Sequence, residues 1–116
     1  MPLMRIESTV TPSPAQTDAI LKACSKALCQ ITGKPEPYTM VTFSPATVLF
    51  AGQPVTGAFV DIRGIGGFNP DINRAISQAI CRLLEEHLQI APDHVYLNFT
   101  DVPATQWGWN GKTFGT

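Results

Sequence analysis

The residue best placed to do chemistry is Pro2. Removal of Met1 ahead of this small residue would leave the ring nitrogen as a secondary amine instead of an amide, able to take up a proton. A free terminal amine titrates near ~7.7–8.0, and burial in an apolar pocket lowers that value, giving a base suited to neutral pH. Taken alone, Pro2 also reads as the start of an edge strand, where a missing donor does no harm. Tyr96 and Asn98 form a second pair: the two-residue period of a strand puts them on one face and Val95, Leu97 and Phe99 on the other. Their face is open either to a substrate or to a neighbouring chain. Lys34 follows Gly33 and precedes Pro35, a fixed loop position for a cation and equally an ordinary charge at a helix C-terminus. The run Gly64-Ile65-Gly66-Gly67 could offer backbone N–H groups to an anion beside a helix start, although such runs also serve as simple turns.

Four strands and two helices must position these residues. Ser13 precedes Pro14 with Gln16 three residues on, a capping box with proline at the first helical position. Ile20, Ala23, Ala27, Leu28 and Ile31 follow at helical spacing, and Gly33 supplies the stop. Asn69 and Pro70 open a second helix with an apolar stripe through Ile72, Ala75, Ile76, Ala79, Ile80, Leu83, Leu84 and Leu88. Strands are predicted over residues 3–8, 39–43, 58–65 and 95–100. The halves share an offset: Ser13 and Asn69 lie 56 positions apart, as do Phe43 and Phe99. A duplicated β-α-β unit follows, each with two parallel strands under a right-handed crossover helix. The expected fold is therefore α+β, one domain over residues 1–116, with a four-stranded mixed sheet covered by two helices.

Composition narrows the class. The chain has 116 residues, 44% of them hydrophobic and only 15% charged, with net charge −1. An average soluble domain carries about 25% charged residues, so part of this surface is expected to be covered by another subunit. No basic run points to nucleic acid, and no apolar stretch approaches the ~20 residues that span a bilayer. The start, MPLMRIES, carries no secretory signal, which favours the cytoplasm and leaves export by a signal-independent route open. Cys24, Cys29 and Cys81 are odd in number and form no CxxC, so neither a disulfide framework nor a metal site is expected, and no cofactor. Asn98-Phe99-Thr100 matches a glycosylation sequon only by accident of a mid-strand asparagine. The tail from residue 103 carries Trp107, Trp109 and Phe114 around an Asn110-Gly111 turn, and is expected to pack over a pocket or a neighbouring subunit.

Together these features resemble the macrophage migration inhibitory factor family of the tautomerase superfamily. The matching stretches are Met1-Pro2, Thr32-Gly33-Lys34-Pro35, the run GIGGFNPDINR from Gly64 to Arg74, Pro92 through Asn98, and Gly108 through Phe114. The resemblance implies a ring-like homotrimer that interconverts enol and keto forms of 2-oxo acids such as phenylpyruvate. It implies Pro2 as the general base, with Lys34 and the N–H of Ile65 on the substrate carboxylate. Tyr96, Asn98, Trp107, Trp109 and Phe114 would line the pocket, with Tyr96 and Asn98 from the adjacent subunit. Trp107 stands where the mammalian cytokine has a smaller aliphatic residue, which puts the pocket's shape in question. The cytokine's Cys-x-x-Cys motif is missing, Gly57 and Val60 standing near its place. The alternative function is a cytokine-like signalling protein that binds a receptor while its tautomerase site is vestigial. A ferredoxin-like RNA-binding module shares the strand order but lacks a basic surround on its sheet.

Overall fold

The computed structural model describes residues 1–115. Helix α1, Pro14–Thr32, begins at the anticipated capping box: the Ser13 hydroxyl accepts from Gln16 N at 3.1 Å, and Gln16 Oε1 accepts from Ser13 N at 2.9 Å. Helix α2, Pro70–Leu88, begins with Asn69 Oδ1 accepting from Ile72 N at 2.8 Å. Both helices end on a left-handed residue, Gly33 at φ 72° and Gln89 at φ 55°. Each has one apolar face, and the sheet is what buries it.

The main sheet contains β1 (Leu3–Ser8), β2 (Met40–Pro45), β5 (Ala58–Gly64) and β6 (Val95–Asp101), in the order β2-β1-β5-β6. The β1–β2 and β5–β6 pairs are parallel, and β1–β5 is antiparallel. The duplication holds at the level of register. Leu3 pairs with Met40, and their counterparts 56 positions on, Phe59 and Tyr96, pair likewise. α1 maps onto α2 at that offset, and the 3₁₀ turn Glu36–Tyr38 maps onto Pro92–His94.

Two short hairpins complete the chain. β3 (Leu49–Phe50) and β4 (Gln53–Pro54) are joined through Ala51 and Gly52, while β7 (Gly108–Trp109) and β8 (Lys112–Thr113) are joined through Asn110 and Gly111. All four turn residues have positive φ, the backbone hand that matches strand twist. The second hairpin is the expected tail turn. The first was not anticipated, because two-residue strands have too little alternation to register as a pattern.

The alternation of the strands sorts the two sheet faces. Met4, Ile6, Val60 and Ile62 point at the helices and are fully buried against Ile20, Leu28, Ile76, Ile80 and Leu84. Each such side chain contributes about 1.5–3 kcal/mol over an exposed position, which fixes the register by excluding a one-residue slip. The opposite face carries Leu3, Arg5, Asp61, Arg63, Met40, Tyr96 and Asn98, with no helix over it. Met40 and Tyr96, on the two edge strands, are 62% and 67% exposed there. Among the described residues, no helix is long and apolar enough to cross a membrane.

Candidate active site

Pro2 precedes β1 on the helix-facing side, and its ring is fully buried. Its carbonyl accepts from Met40 N at 3.1 Å, which ties the chain start to β2. In front of it lies a cleft of about 350 Å³ lined by Met1, Leu3, Tyr38, Met40, Trp107, Trp109 and Phe114, among others. Met1 is part of that lining, so its removal would widen the cleft toward the Pro2 nitrogen.

The β7–β8 hairpin brings the aromatic wall to this place. Trp109 and Phe114 stack at 5.8 Å between ring centroids with planes 13° apart, and Tyr38 meets both edge-on, at 5.5 and 6.3 Å. The N–H of Phe114 donates to Trp107 O at 3.1 Å, holding the end of the hairpin against its start. The cluster gives one side of the cleft an aromatic wall, with Tyr38 and Trp109 44% and 48% exposed.

Lys34 stands at the other side. Its Nζ donates to Ile65 O at 2.7 Å, which fixes the ammonium beside the loop that follows β5. Gly67 makes room for it: φ is +87° there, and a Cβ would stand 2.7 Å from Lys34 Cε. Asp101 Oδ1 accepts from Gly66 N at 2.7 Å, so one N–H of this glycine-rich loop is already committed to a carboxylate within the chain. The chain's amino group has its pKa lowered, first by burial and then by the Lys34 charge beside it. That group belongs to Met1, which holds the Pro2 nitrogen as an amide in this chain. Cys29 also faces this region, its Sγ 3.0 Å from Thr39 Oγ1.

The structure thus brings Pro2, Lys34, Ile65, Trp107, Trp109 and Phe114 to one end of the sheet. It does not bring Tyr96 and Asn98 there within a single chain. Tyr96 shares a row with Phe59 and Glu7, at the far end of β1 from Pro2, and Asn98 shares one with Asp61 and Arg5. Both are exposed on the face that no helix covers. Phe50 of the β3–β4 hairpin lies 5.3 Å from Tyr96 and 5.5 Å from His94, ring to ring.

Comparison with known proteins then decides the family. The family model described as macrophage migration inhibitory factor matches residues 1–115. The chain belongs to that family. It is 36% identical to the mouse (Mus musculus) macrophage migration inhibitory factor over 112 residues, covering 96% of this chain and 97% of the mouse protein. Among solved structures, the Toxoplasma gondii factor superimposes with a TM-score of 0.93 at 32% identity, covering 96% of this chain and 98% of that one. The Prochlorococcus marinus homologue gives 0.91 at 34% identity, covering 97% and 99%. The family fold accounts for the mixed sheet, the two helices and the duplicated register.

Sequence reasoning missed Leu3, Tyr38 and Met40 as cleft residues. Leu3 and Met40 reach the cleft as register partners, and Tyr38 through the 3₁₀ turn that leads into β2. The Pro35–Pro37 spacing was the available signal for that turn, since two prolines so close stop α1 from continuing. Of the cysteines, Cys24 is buried, and burial pushes its thiol up to about 12. Cys29 and Cys81 are only partly buried, because both lie at the margins of their helices' apolar stripes. Among the described residues, no three His, Cys, Asp or Glu side chains group so as to hold a metal ion.

Proposed function

We propose that this protein is a cofactor-independent keto–enol tautomerase of 2-oxo acids such as phenylpyruvate, with Pro2 as its base once Met1 is removed. The observation that carries the reading is the position of Lys34, whose ammonium stands at the chain's amino terminus on one side of an aromatic cleft. An anionic substrate would set its carboxylate at Lys34 and its apolar side chain against Trp107, Trp109 and Phe114. The Pro2 nitrogen would then take the enol O–H proton and return a proton to the adjacent carbon. The carbonyl forms as the carbon–carbon double bond is lost, and no net oxidation occurs. At the Met1 amine, burial and the neighbouring cation both favour the free form, and a Pro2 amine formed beside the same cation would share that bias.

In this reading the protein works as a homotrimer, and Tyr96 and Asn98 of one subunit complete the cleft of the next. Their exposure on the open sheet face, remote from the cleft of their own chain, supports that role. The test is ketonisation of enol phenylpyruvate by protein whose mass shows loss of Met1. An added alanine before Pro2 turns its nitrogen into an amide, and should reduce the rate by at least ~10²–10⁴-fold without changing the fold. Wild-type turnover by the extended protein would remove Pro2 from the mechanism.

A further inference from the structure

A second hollow adjoins the cleft. It encloses about 250 Å³ and is lined by Leu3, Arg63, Val102, Gln106, Trp107 and Gly108. Leu3, Trp107 and Gly108 also line the cleft at the chain start, so the two spaces meet around the Trp107 side chain. Arg63 reaches this place because it is the direct β1–β5 partner of Leu3, the residue after Pro2.

The charge on Arg63 is only partly spent within the chain. Its Nε and Nη2 donate to Asp61 Oδ2 at 3.3 and 3.2 Å, and Arg5 Nη2 lies 3.4 Å from the same oxygen. Two guanidiniums thus share one carboxylate, which leaves a net positive charge on this part of the open face. The Asp61 side chain is 9% exposed and Arg63 is 48% exposed, so the carboxylate is an anchor and the guanidinium is presented to solvent. Nη1 of Arg63 is not engaged among the described residues. Lys34 thus stands by the amino terminus, and Arg63 lines the hollow that shares Leu3, Trp107 and Gly108 with the cleft.

We infer that Arg63 is a specificity residue that binds a second carboxylate, so that the preferred substrate class is a 2-oxo dicarboxylate. The inference rests on the tautomerase reading above and deepens it by naming the substrate class. The 2-oxo carboxylate sits at Lys34, and the distal carboxylate passes Trp107 to meet the free edge of Arg63. A planar guanidinium already fixed on one edge by Asp61 has lost most of its rotamer freedom, so binding the anion costs little further ordering. Monocarboxylates with an aromatic tail bind through Lys34 and the ring cluster alone, and make no use of Arg63.

The experiment compares ketonisation of enol oxaloacetate and enol phenylpyruvate by wild type, Arg63→Gln and Arg63→Lys. Arg63→Gln should lower kcat/KM for oxaloacetate by ~10–100-fold, the scale of one charge-assisted hydrogen bond, mostly through KM. Its kcat/KM for phenylpyruvate should change by less than about threefold, the scatter of surface substitutions. Arg63→Lys should recover part of the oxaloacetate activity, since it restores the charge without the fork. Asp61 keeps Arg5 as a partner in both variants, so no buried carboxylate is left unpaired. Loss of both activities in equal proportion, or of neither, overturns the role of Arg63 while leaving the tautomerase reading intact. A wild type inactive on both enols overturns the two together.

Discussion

Replacing Lys34 by methionine separates its two effects on the cleft. The substitution keeps an unbranched apolar stem against Gly67 and removes only the ammonium. The first effect is on binding. A carboxylate held by a charge-assisted hydrogen bond gains about 1.5–3 kcal/mol, so kcat/KM for phenylpyruvate should fall by ~10- to 150-fold. The second effect is on the base. At the Met1 amine burial is the larger cause of the lowered pKa and the Lys34 charge is the next, and a Pro2 amine in its place is expected to feel both. Loss of that charge therefore raises the amine's pKa part of the way back toward its ordinary value. Because only the unprotonated amine accepts a proton, activity is lost as pH falls through this pKa. The acid limb of the kcat/KM profile should accordingly move to higher pH in Lys34→Met, while staying below the range of a free terminal amine. The assay is the decay of enol absorbance across a pH series, with circular dichroism confirming the fold at each pH. An acid limb that stays in place, or moves to lower pH, would falsify the electrostatic coupling of Lys34 to the base.

Three further outcomes are expected. Gly67→Ala forces a side chain to φ +87° and into Lys34 Cε, so KM for phenylpyruvate should rise as the ammonium leaves Ile65 O, and an unchanged KM would mean the cation is not used in that position. Ile80→Ala should cost about 2–5 kcal/mol in urea unfolding at fixed protein concentration, since Ile80 is fully buried between helix and sheet, and a loss under 1 kcal/mol would place the core elsewhere. Sedimentation equilibrium at micromolar concentration should give a trimer, because Met40 and Tyr96 are too exposed for an isolated sheet face, and a monomer would leave Tyr96 without any cleft to serve.

The helices were legible because their signals are local. Ser13 with Gln16, and Asn69 with Pro70, mark helix starts by bonds that reach only three residues, and the apolar stripes repeat within one element. The main strands were legible to within two residues at their ends, the largest miss being β2, predicted to stop at Phe43 and running to Pro45. Residue 39 is the cap of a 3₁₀ turn and precedes β2 instead of opening it, and β5 stops at Gly64 where the glycine-rich loop turns away. The site was legible only where its residues are consecutive or family-marked, as with Lys34 after Gly33. Leu3, Met40 and Arg63 carry no local mark, and Tyr38 only the Pro35–Pro37 spacing of its turn. Leu3, Met40 and Arg63 reach the cleft and its neighbour through pairing across β1, β2 and β5, which is a property of the folded sheet, and Tyr38 through the 3₁₀ turn before β2.

The duplication explains the scaffold, and its imperfections explain why chemistry is expected at one end only. At the same offset of 56, α1 answers to α2 and Gly33 answers to Gln89, both left-handed at the helix stop. The next residue breaks the likeness: Lys34 answers to Ile90, which is fully buried in the core. Pro2 answers to Ala58, whose nitrogen lies inside the chain as an ordinary amide. The second half therefore has neither a cation nor a nitrogen that loss of Met1 could free, where the first half has Lys34 and Pro2. Met40 answers to Tyr96, and the two exposed side chains stand at matching points of the open face. One lines the cleft of its own chain, and the other has none beside it. A second copy of the chain that met Tyr96 with its cleft would restore at the interface the symmetry that the two halves have lost within the chain.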